Sequence, residues 1–239
     1  MAEFQKVNRI YSHAKRFSWL LIPLVAVGGL WYPRLGLLMI PIMLTLLVMG
    51  FLKGKYWCGN FCPHGSLFDG IITPYSHFKE IPQFLKSKLV GGLALGWFMF
   101  MLGIRLIRVL AHWGTIDFWD KLGYVFVFNY LVVTVVGISV ALLVNPRTWC
   151  AFCPMGVSQV IAFKLGRILN LNRSTHEFIS FTDRSLCREC GLCGKVCPMQ
   201  LQPYLDADDE GTLEDDHCIK CKVCVKNCPL NVLELGRES

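Results

Sequence analysis

Cysteine is the residue type in this 239-residue chain whose spacing most clearly indicates chemistry. Eight of the twelve cysteines lie in two runs of one pattern, Cys-x-x-Cys-x-x-Cys-x-x-x-Cys-Pro. This is the spacing of bacterial two-cluster ferredoxins, in which the fourth cysteine of each run binds the other cluster. The pattern predicts two [4Fe–4S] clusters, the first held by Cys187, Cys190, Cys193 and Cys228, the second by Cys218, Cys221, Cys224 and Cys197.

A disulfide framework and zinc sites are the alternatives for these eight cysteines. Disulfides require an oxidising compartment and are typical of small secreted domains. Zinc sites usually pair two spaced Cys/His couples. Four-cysteine runs that end in proline therefore favour iron–sulfur clusters, and the predicted chemistry is the transfer of single electrons.

The other four cysteines lie in two motifs that resemble each other. One reads Lys55-Tyr56-Trp57-Cys58-x-x-x-Cys62-Pro63-His64-Gly65, and the other reads Arg147-Thr148-Trp149-Cys150-x-x-Cys153-Pro154-Met155-Gly156. The repeated order indicates an internal duplication, which would bring Cys58, Cys62, Cys150 and Cys153 together as one four-thiolate site. A third [4Fe–4S] cluster is the hypothesis for this site. A Cu(I) or zinc site and a redox-active thiol pair in each motif are the alternatives.

Long apolar segments must position these cysteines, because each of the two shorter motifs follows directly after one. The chain is 54% hydrophobic and only 17% charged, whereas a typical soluble domain is roughly 25% charged. Four apolar segments cover residues 17–32, 35–52, 89–111 and 124–145. Their lengths, and the turn residues between the first two, predict two helical hairpins of the same orientation. For the first pair, a re-entrant hairpin that does not cross the membrane is the alternative.

The predicted fold is membrane α-helical, with four transmembrane helices as two pseudo-repeated hairpins, followed by a small α+β ferredoxin domain of the bacterial 2[4Fe–4S] type. The predicted parts are a cytoplasmic segment 1–16, a transmembrane domain 17–154, an interfacial helix and linker 155–178, and a ferredoxin domain 179–239. Residues 157–170 have the apolar periodicity of an interfacial amphipathic helix. Glycines of the third segment permit close helix contact: Gly91, Gly92, Gly96 and Gly103.

Charge divides the chain into a basic and an acidic part. Residues 1–170 carry 16 Lys/Arg and 5 Asp/Glu, a net +11, whereas residues 171–239 carry 8 and 12, a net −4. The positive-inside rule places both termini and the ferredoxin domain on the cytoplasmic side of the inner membrane. The basic part is expected to face anionic lipid and the acidic part a protein partner, with no sign of nucleic-acid binding. One acidic run is predicted to be a solvated loop that could steer a basic redox partner: Asp206, Asp208, Asp209, Glu210, Glu214, Asp215 and Asp216.

With its apolar core, its paired Cys-Pro motifs and its two C-terminal cysteine runs, the chain resembles the membrane polyferredoxins of the NapH type. These are quinol dehydrogenase membrane components of periplasmic nitrate reductase systems, and they are similar to the C-terminal part of the nitrous oxide reductase regulator. The resemblance implies an electron-transfer subunit that works between the quinone pool and redox partner subunits, rather than an enzyme alone. One departure is that Cys150-x-x-Cys153 is one residue shorter than the family's usual spacing.

Two other functions stay open: a metal-handling assembly factor that reduces copper, and a redox-sensing membrane regulator. The sequence contains no Cys-x-x-Cys-His haem attachment motif and no Gly-x-Gly-x-x-Gly nucleotide motif. Any covalent haem, flavin or nicotinamide is therefore expected to belong to a partner.

Two groups of ionisable residues are candidates for a quinone site. Arg105, Arg108 and His112 share one helical face near the outer surface, where snorkelling of the arginines is the alternative role. His64 and His77 lie with Asp69 in the cytoplasmic loop, and either histidine could carry protons or orient a quinone carbonyl. A structural role is the alternative for each histidine.

Overall fold

The computed structural model describes residues 7–237. Residues 1–6 of the predicted N-terminal segment and residues 238–239 of the predicted ferredoxin domain lie outside this range. Three helical stretches are long and apolar enough to cross a membrane: Pro33–Lys53, Lys88–Leu110 and Phe118–Leu143. The first begins with a 3-10 turn at Pro33–Leu38 and continues as an α-helix, and the other two are α-helical throughout.

Twelve α-helices and three strands make up the described chain. The helices are α1 His13–Phe17, α2 Gly28–Trp31, α3 Met39–Lys53, α4 Tyr56–Asn60, α5 Pro63–Leu67, α6 Lys88–Leu110, α7 Phe118–Leu143, α8 Thr148–Phe152, α9 Pro154–Ile168, α10 Leu192–Val196, α11 Pro203–Asp206 and α12 Val223–Lys226. The strands are β1 Glu177–Phe181, β2 Thr212–Leu213 and β3 Leu233–Arg237. Shorter 3-10 and π turns connect several of them.

The first predicted membrane segment, residues 17–32, is an irregular helical run and is not among the three membrane-length helices. It passes from α1 through a 3-10 turn and a π-helical turn at Pro23–Val27 into α2. Proline removes a backbone donor and crowds the preceding turn, which accounts for the change of helix type at Pro23. The run packs against α7, where Gly29 lies so close to Val127 that a Cβ would be 2.4 Å from its Cγ2.

Close backbone contact in the membrane half occurs at Gly36 and Gly123. A Cβ on Gly36 would be 2.1 Å from the carbonyl oxygen of Gly123, and a Cβ on Gly123 would be 2.1 Å from that of Pro33. By contrast, Gly92, Gly96 and Gly103 of α6 have nothing within 4 Å of a Cβ. Most of α6 faces outward, so these three glycines make no close contact within residues 7–237, whereas the stretch from Pro33 lies directly on α7.

Helix α9 starts earlier than the amphipathic helix predicted at residues 157–170 and packs on α3 and α6. At its crossing with α3, a Cβ on Gly50 would be 2.7 Å from the Cγ atom of Gln159. The opposite face exposes three apolar side chains, Ile161, Leu165 and Ile168. The helix thus connects the membrane half to the C-terminal domain while presenting an apolar face outward.

The C-terminal domain is a three-stranded antiparallel sheet in the order β2-β1-β3, with the short helices α10, α11 and α12. Ile179 of the central strand is paired with Leu213 on one side and with Leu235 on the other. Its core also contains cysteines of both runs, Cys193 and Cys224. The sheet therefore supports the cysteine-bearing loops, as expected of a ferredoxin domain.

Opposite charges join the two halves of the molecule. Lys164 and Arg167 of α9 form ion pairs with Asp216 at 2.6 Å and Glu214 at 2.9 Å. Lys53 at the end of α3 pairs with Glu177 of β1 at 2.6 Å. The acidic run is therefore not entirely a solvated loop, because two of its members bind the basic membrane half.

Candidate functional site

The cysteines of the ferredoxin domain surround two separate cavities. One has a free volume of about 370 Å³, which includes the solvent-filled space at its open side. It is lined by four cysteines: Cys197, Cys218, Cys221 and Cys224. The other, of about 360 Å³ counted in the same way, is lined by Cys187, Cys190, Cys193 and Cys228. Each cavity takes three cysteines from one run and the fourth from the other, and these are the two sets that the sequence predicts as cluster ligands.

Equivalent turns place the two runs around their cavities. Gly191 and Lys222 each follow the second cysteine of a run, each has a left-handed conformation (φ 69° and 61°), and each caps the short helix that carries the third cysteine. Left-handed backbone is strained for a lysine.

The backbone amide of Leu201 donates a hydrogen bond to the Sγ atom of Cys197 at 3.4 Å. Such bonds to sulfur favour the thiolate form that binds iron.

The two shorter motifs fold in the same way at the end of the membrane half. In each, a five-residue helix, α4 or α8, precedes an extended cysteine, and a proline then begins the next helix, α5 or α9. Cys62 (φ −58°, ψ 124°) and Cys153 (φ −53°, ψ 127°) have nearly the same backbone conformation. The extra residue of the first motif is Phe61, which lies in the turn between α4 and Cys62. The shorter spacing at Cys150 therefore leaves the helix–Cys–Pro–helix arrangement unchanged.

Reciprocal contacts hold the two motifs together. Arg147 of the second motif reaches Gly65 of the first: a Cβ added to Gly65 would be 2.8 Å from the Nη1 atom of Arg147. Lys55 of the first motif reaches Gly156 of the second: a Cβ added to Gly156 would be 3.6 Å from the Cε atom of Lys55. Both basic side chains are buried. This exchange is what a duplicated pair related by pseudo-twofold symmetry would show.

Cys58, Cys62, Cys150 and Cys153 lie close enough to repel one another as thiolates. Burial, followed by the charges of Cys150 and Cys58, raises the pKa of the Cys153 thiol to about 12. Burial, followed by the charges of Cys58, Cys150 and Cys153, also raises the pKa of Cys62. We call these four residues the membrane-surface cysteine site. One of the four thiols, Cys150, is buried and the other three are partly buried. Four such thiols in mutual repulsion require a bound cationic centre to become thiolates together.

Two polar side chains donate to sulfur at this site, and neither was singled out from the sequence as a functional residue. The Nε2 atom of Gln159 donates to Cys58 Sγ at 3.1 Å, and Nη1 of Arg147 donates to Cys150 Sγ at 3.5 Å. Arg147 is visible in the sequence as the basic residue that opens the second motif. Gln159 lies 101 residues from Cys58 and belongs to no motif, so only the packing of α9 on α3 reveals it.

Asp69, a predicted quinone-site residue, lies in a buried ion-pair group. Its carboxylate binds Arg147 through two hydrogen bonds, of 3.0 Å to Nε and 2.6 Å to Nη2, and Lys15 Nζ at 2.7 Å. Burial alone would raise the pKa of Asp69, but the charges of Arg147 and Lys15 outweigh it and hold the pKa well below its usual value. Asp69 is therefore an ionised anchor for two cations.

The two histidines of the same loop lie in different environments. His64 is buried, its Nε2 is 2.9 Å from Thr134 Oγ1, and its ring contacts the edge of Tyr130. Burial lowers the pKa of His64 to about 4. His77 is exposed on the loop that precedes α6. The structure thus separates His64, His77 and Asp69 and does not bring them into one pocket.

Arg105, Arg108 and His112 do lie together, at the end of the membrane helices opposite the cysteines. With Asp117, Asp120 and aromatic side chains of α7 they line an open cavity of about 1320 Å³, counted with its open side like the two ferredoxin cavities. Arg105 donates to Asn129 Oδ1 at 2.6 Å and stacks over Phe128 at 4.5 Å from the ring centre. These contacts hold Arg105 within the helix pair.

The donor sets fit iron–sulfur clusters. Within residues 7–237, no three His, Cys, Asp or Glu side chains converge closely enough to hold a single metal ion. In a [4Fe–4S] cluster each thiolate binds a different iron, so its four ligands need not converge in that way. All three sets consist of four cysteines, the ligand type that such clusters take.

Family comparisons find iron–sulfur domains in both halves of the chain. A 4Fe-4S binding domain family matches twice, at residues 35–82 and 126–172. Each match runs from a membrane-length helix through one of the shorter cysteine motifs, which agrees with the duplication. A 4Fe-4S dicluster domain family matches residues 180–229, which contain both long runs.

Individual relatives are distant. The uncharacterized protein MJ0749 of Methanocaldococcus jannaschii is 24% identical over 80% of this chain and 68% of its own length. YccM of Escherichia coli, named for an inferred role in electron transport, is 23% identical over 79% of this chain, which spans about half (53%) of YccM. Subunit PorD of the pyruvate synthase of Methanothermobacter marburgensis is 29% identical over 29% of this chain and 79% of PorD. No solved structure matches the chain. The chain thus carries 4Fe–4S ferredoxin-type domains and is a distant homologue of YccM.

Proposed function

We propose that the chain is a membrane-bound electron-transfer subunit that relays single electrons between the quinone pool and a redox partner protein. In this proposal two [4Fe–4S] clusters occupy the ferredoxin cavities, and a third is held by the membrane-surface cysteine site. These clusters supply one-electron chemistry when bound, and the protein positions them and controls their charge. This arrangement resembles that of the NapH-type polyferredoxins.

One contact carries the proposal, namely the direct packing of the membrane-surface cysteine site on the ferredoxin domain. Gly59, the residue after Cys58, lies against the loop of the second run, where a Cβ would be 2.0 Å from the carbonyl oxygen of Ile219 and 3.2 Å from the Cα atom of Cys221. The next residue, Asn60, donates to the carbonyl of Lys220 at 3.3 Å. The backbones that hold two cysteine sets therefore touch, which supports electron transfer from one to the other.

The contact also gives the proposed relay an order. One ferredoxin cavity adjoins the membrane-surface cysteine site, namely that of Cys197, Cys218, Cys221 and Cys224. The other cavity takes three of its four cysteines from the first run: it is lined by Cys187, Cys190, Cys193 and Cys228. Cys190 of the latter is exposed. We place the partner protein at this exposed cavity. The pyruvate synthase subunit among the relatives is consistent with a redox protein as the partner.

In the membrane, the proposed layout keeps four crossings, with the irregular run of residues 17–32 as the first and the three membrane-length helices as the others. The ferredoxin domain and both termini then face the cytoplasm, on the side of the cysteines and of most loop lysines. Reduced thiols and iron–sulfur clusters agree with that compartment.

For the quinone, an apolar groove on the cysteine side is the better location. It is lined by α1, the following turns and α3, and by residues that flank Cys58 and Cys62, namely Trp57, Phe61 and Pro63. The cavity of Arg105, Arg108 and His112 lies at the far end of α6, a helix of 23 residues and therefore about 35 Å long. Tunnelling falls steeply with distance, so that outer cavity would need a further cofactor between it and the cysteines.

The experiment mixes the reduced, purified full chain with a quinone analogue or with Cu(II), and follows recovery of iron–sulfur absorbance. Oxidation by the quinone analogue is expected, and it should slow in Leu24→Trp, which fills the groove. Leu44→Trp on exposed α3 surface is the matched control. Rapid oxidation by Cu(II) without a response to quinone would overturn the relay and favour a copper-reducing function.

A further inference from the structure

Three cations surround Asp69 in the interior between the membrane half and the ferredoxin domain. Arg147, Lys15 and Arg9 are 0%, 3% and 2% exposed. Arg147 and Lys15 bind the carboxylate of Asp69, and Lys15 Nζ also donates to the carbonyl oxygen of Arg9 at 2.7 Å. One carboxylate balances one of the three cations. Among residues 7–237, two positive charges therefore remain in a place where unbalanced charge is strongly unfavourable.

The guanidinium of Arg9 is the least satisfied member of this group. Within the described chain its Nε and Nη1 atoms are buried without a hydrogen-bond partner, although it stacks over Phe78 at 5.5 Å from the ring centre. Buried polar groups normally have partners. Two unpaired N–H donors on a buried cation therefore indicate an anion beside them.

Both neighbouring cysteine sets lie within electrostatic range of these cations. Arg9 interacts with Cys197 and Cys221 of the adjoining ferredoxin cavity. Lys15 and Arg147 also act on Cys221, and Arg147 acts on Cys58 and Cys150 of the membrane-surface cysteine site. The cationic group is thus shared by the two sites that touch at Gly59.

We propose that Arg9, Lys15 and Arg147, held by Asp69, form a shared cationic group that raises the reduction potentials of the clusters in the two adjoining cysteine sites. The inference rests on the proposed function. An electron added to either site increases its negative charge, and a nearby buried cation stabilises that charge because the interior screens it weakly. These residues act through the cluster ligands, so they are positioning residues.

The test is a potentiometric titration of the full chain followed by electron paramagnetic resonance. Arg9→Met removes a charge and two unpaired donors together, so a purely structural role predicts unchanged or higher stability and unchanged potentials. We expect instead that one midpoint potential falls, with a reduction equilibrium constant about tenfold smaller, which is about 59 mV for one electron. Asp69→Asn should shift potentials in the opposite direction, because it removes the carboxylate that pairs with Arg147 and Lys15.

Arg34→Met is the matched control, since Arg34 pairs with exposed Asp120 and contacts neither cysteine set. It should leave every midpoint unchanged. Wild-type midpoints in Arg9→Met at full cluster content would overturn the inference. An iron content short of a third cluster would count against the proposed membrane-surface cluster alone, because the effect of Arg9 on the ferredoxin cavity can still be measured.

Discussion

Replacing Gly59 by alanine should separate the membrane-surface cysteine site from the ferredoxin domain. The added Cβ would stand 2.0 Å from the carbonyl oxygen of Ile219, whereas real Cβ atoms essentially never approach within 3.0 Å. One of the two backbones must therefore move by about 1 Å, and neither can turn aside as a flexible side chain could. Overpacking of this kind costs about 1–3 kcal/mol. The movement also lengthens the path between Cys58 and Cys221.

The assay compares two properties of Gly59→Ala and wild type. Thermal unfolding of the detergent-solubilised chain should occur at a lower temperature. The reduced variant should also be oxidised more slowly by a quinone analogue, while its two ferredoxin clusters are still reduced normally by dithionite. Gly96→Ala is the matched control, because nothing lies within 4 Å of a Cβ at that position. If Gly59→Ala unfolds and reacts like wild type, the contact does not connect the two sites.

Three further changes test other parts of the structure. Gly36→Ala should destabilise the membrane half by about 1–3 kcal/mol, since its Cβ would be 2.1 Å from the Gly123 carbonyl oxygen; an unchanged melting temperature in detergent would contradict that packing. Lys164→Gln should cost at most about 1 kcal/mol because its ion pair with Asp216 is half exposed, and the loss should diminish at high salt in the same unfolding assay. Thr134→Val removes the hydroxyl partner of buried His64 and should cost about 1–3 kcal/mol, whereas an equally stable variant would show that His64 has another partner.

The cysteine sets were the most predictable part of the molecule because their pattern is local. Spacing within each run determines which thiols can surround one cavity, and the structure groups the same residues. The duplication was also readable, since Lys55 and Arg147 open motifs of the same order. A family match at both segments supports it.

Long-range contacts account for what the sequence did not reveal. Asp69 and Arg147 are 78 residues apart, so nothing in either motif showed that Asp69 anchors a cation. Residues 17–32 had the composition of a span, but Pro23 and the two glycines of α2 make that run irregular. Glycines in α6 permit close helix contact, but Gly92, Gly96 and Gly103 have nothing within 4 Å of a Cβ. In each case, packing of one helix against another decided the role.

The number of clusters tests the central claim most directly. Iron and acid-labile sulfide should be measured per chain in anaerobically purified protein, beside a Cys58→Ser, Cys150→Ser double variant. The account predicts about twelve irons in wild type, four for each of three clusters, and about eight in the variant. About eight irons in both proteins would contradict a cluster at the membrane-surface cysteine site, and with it the proposed path from the membrane to the ferredoxin domain.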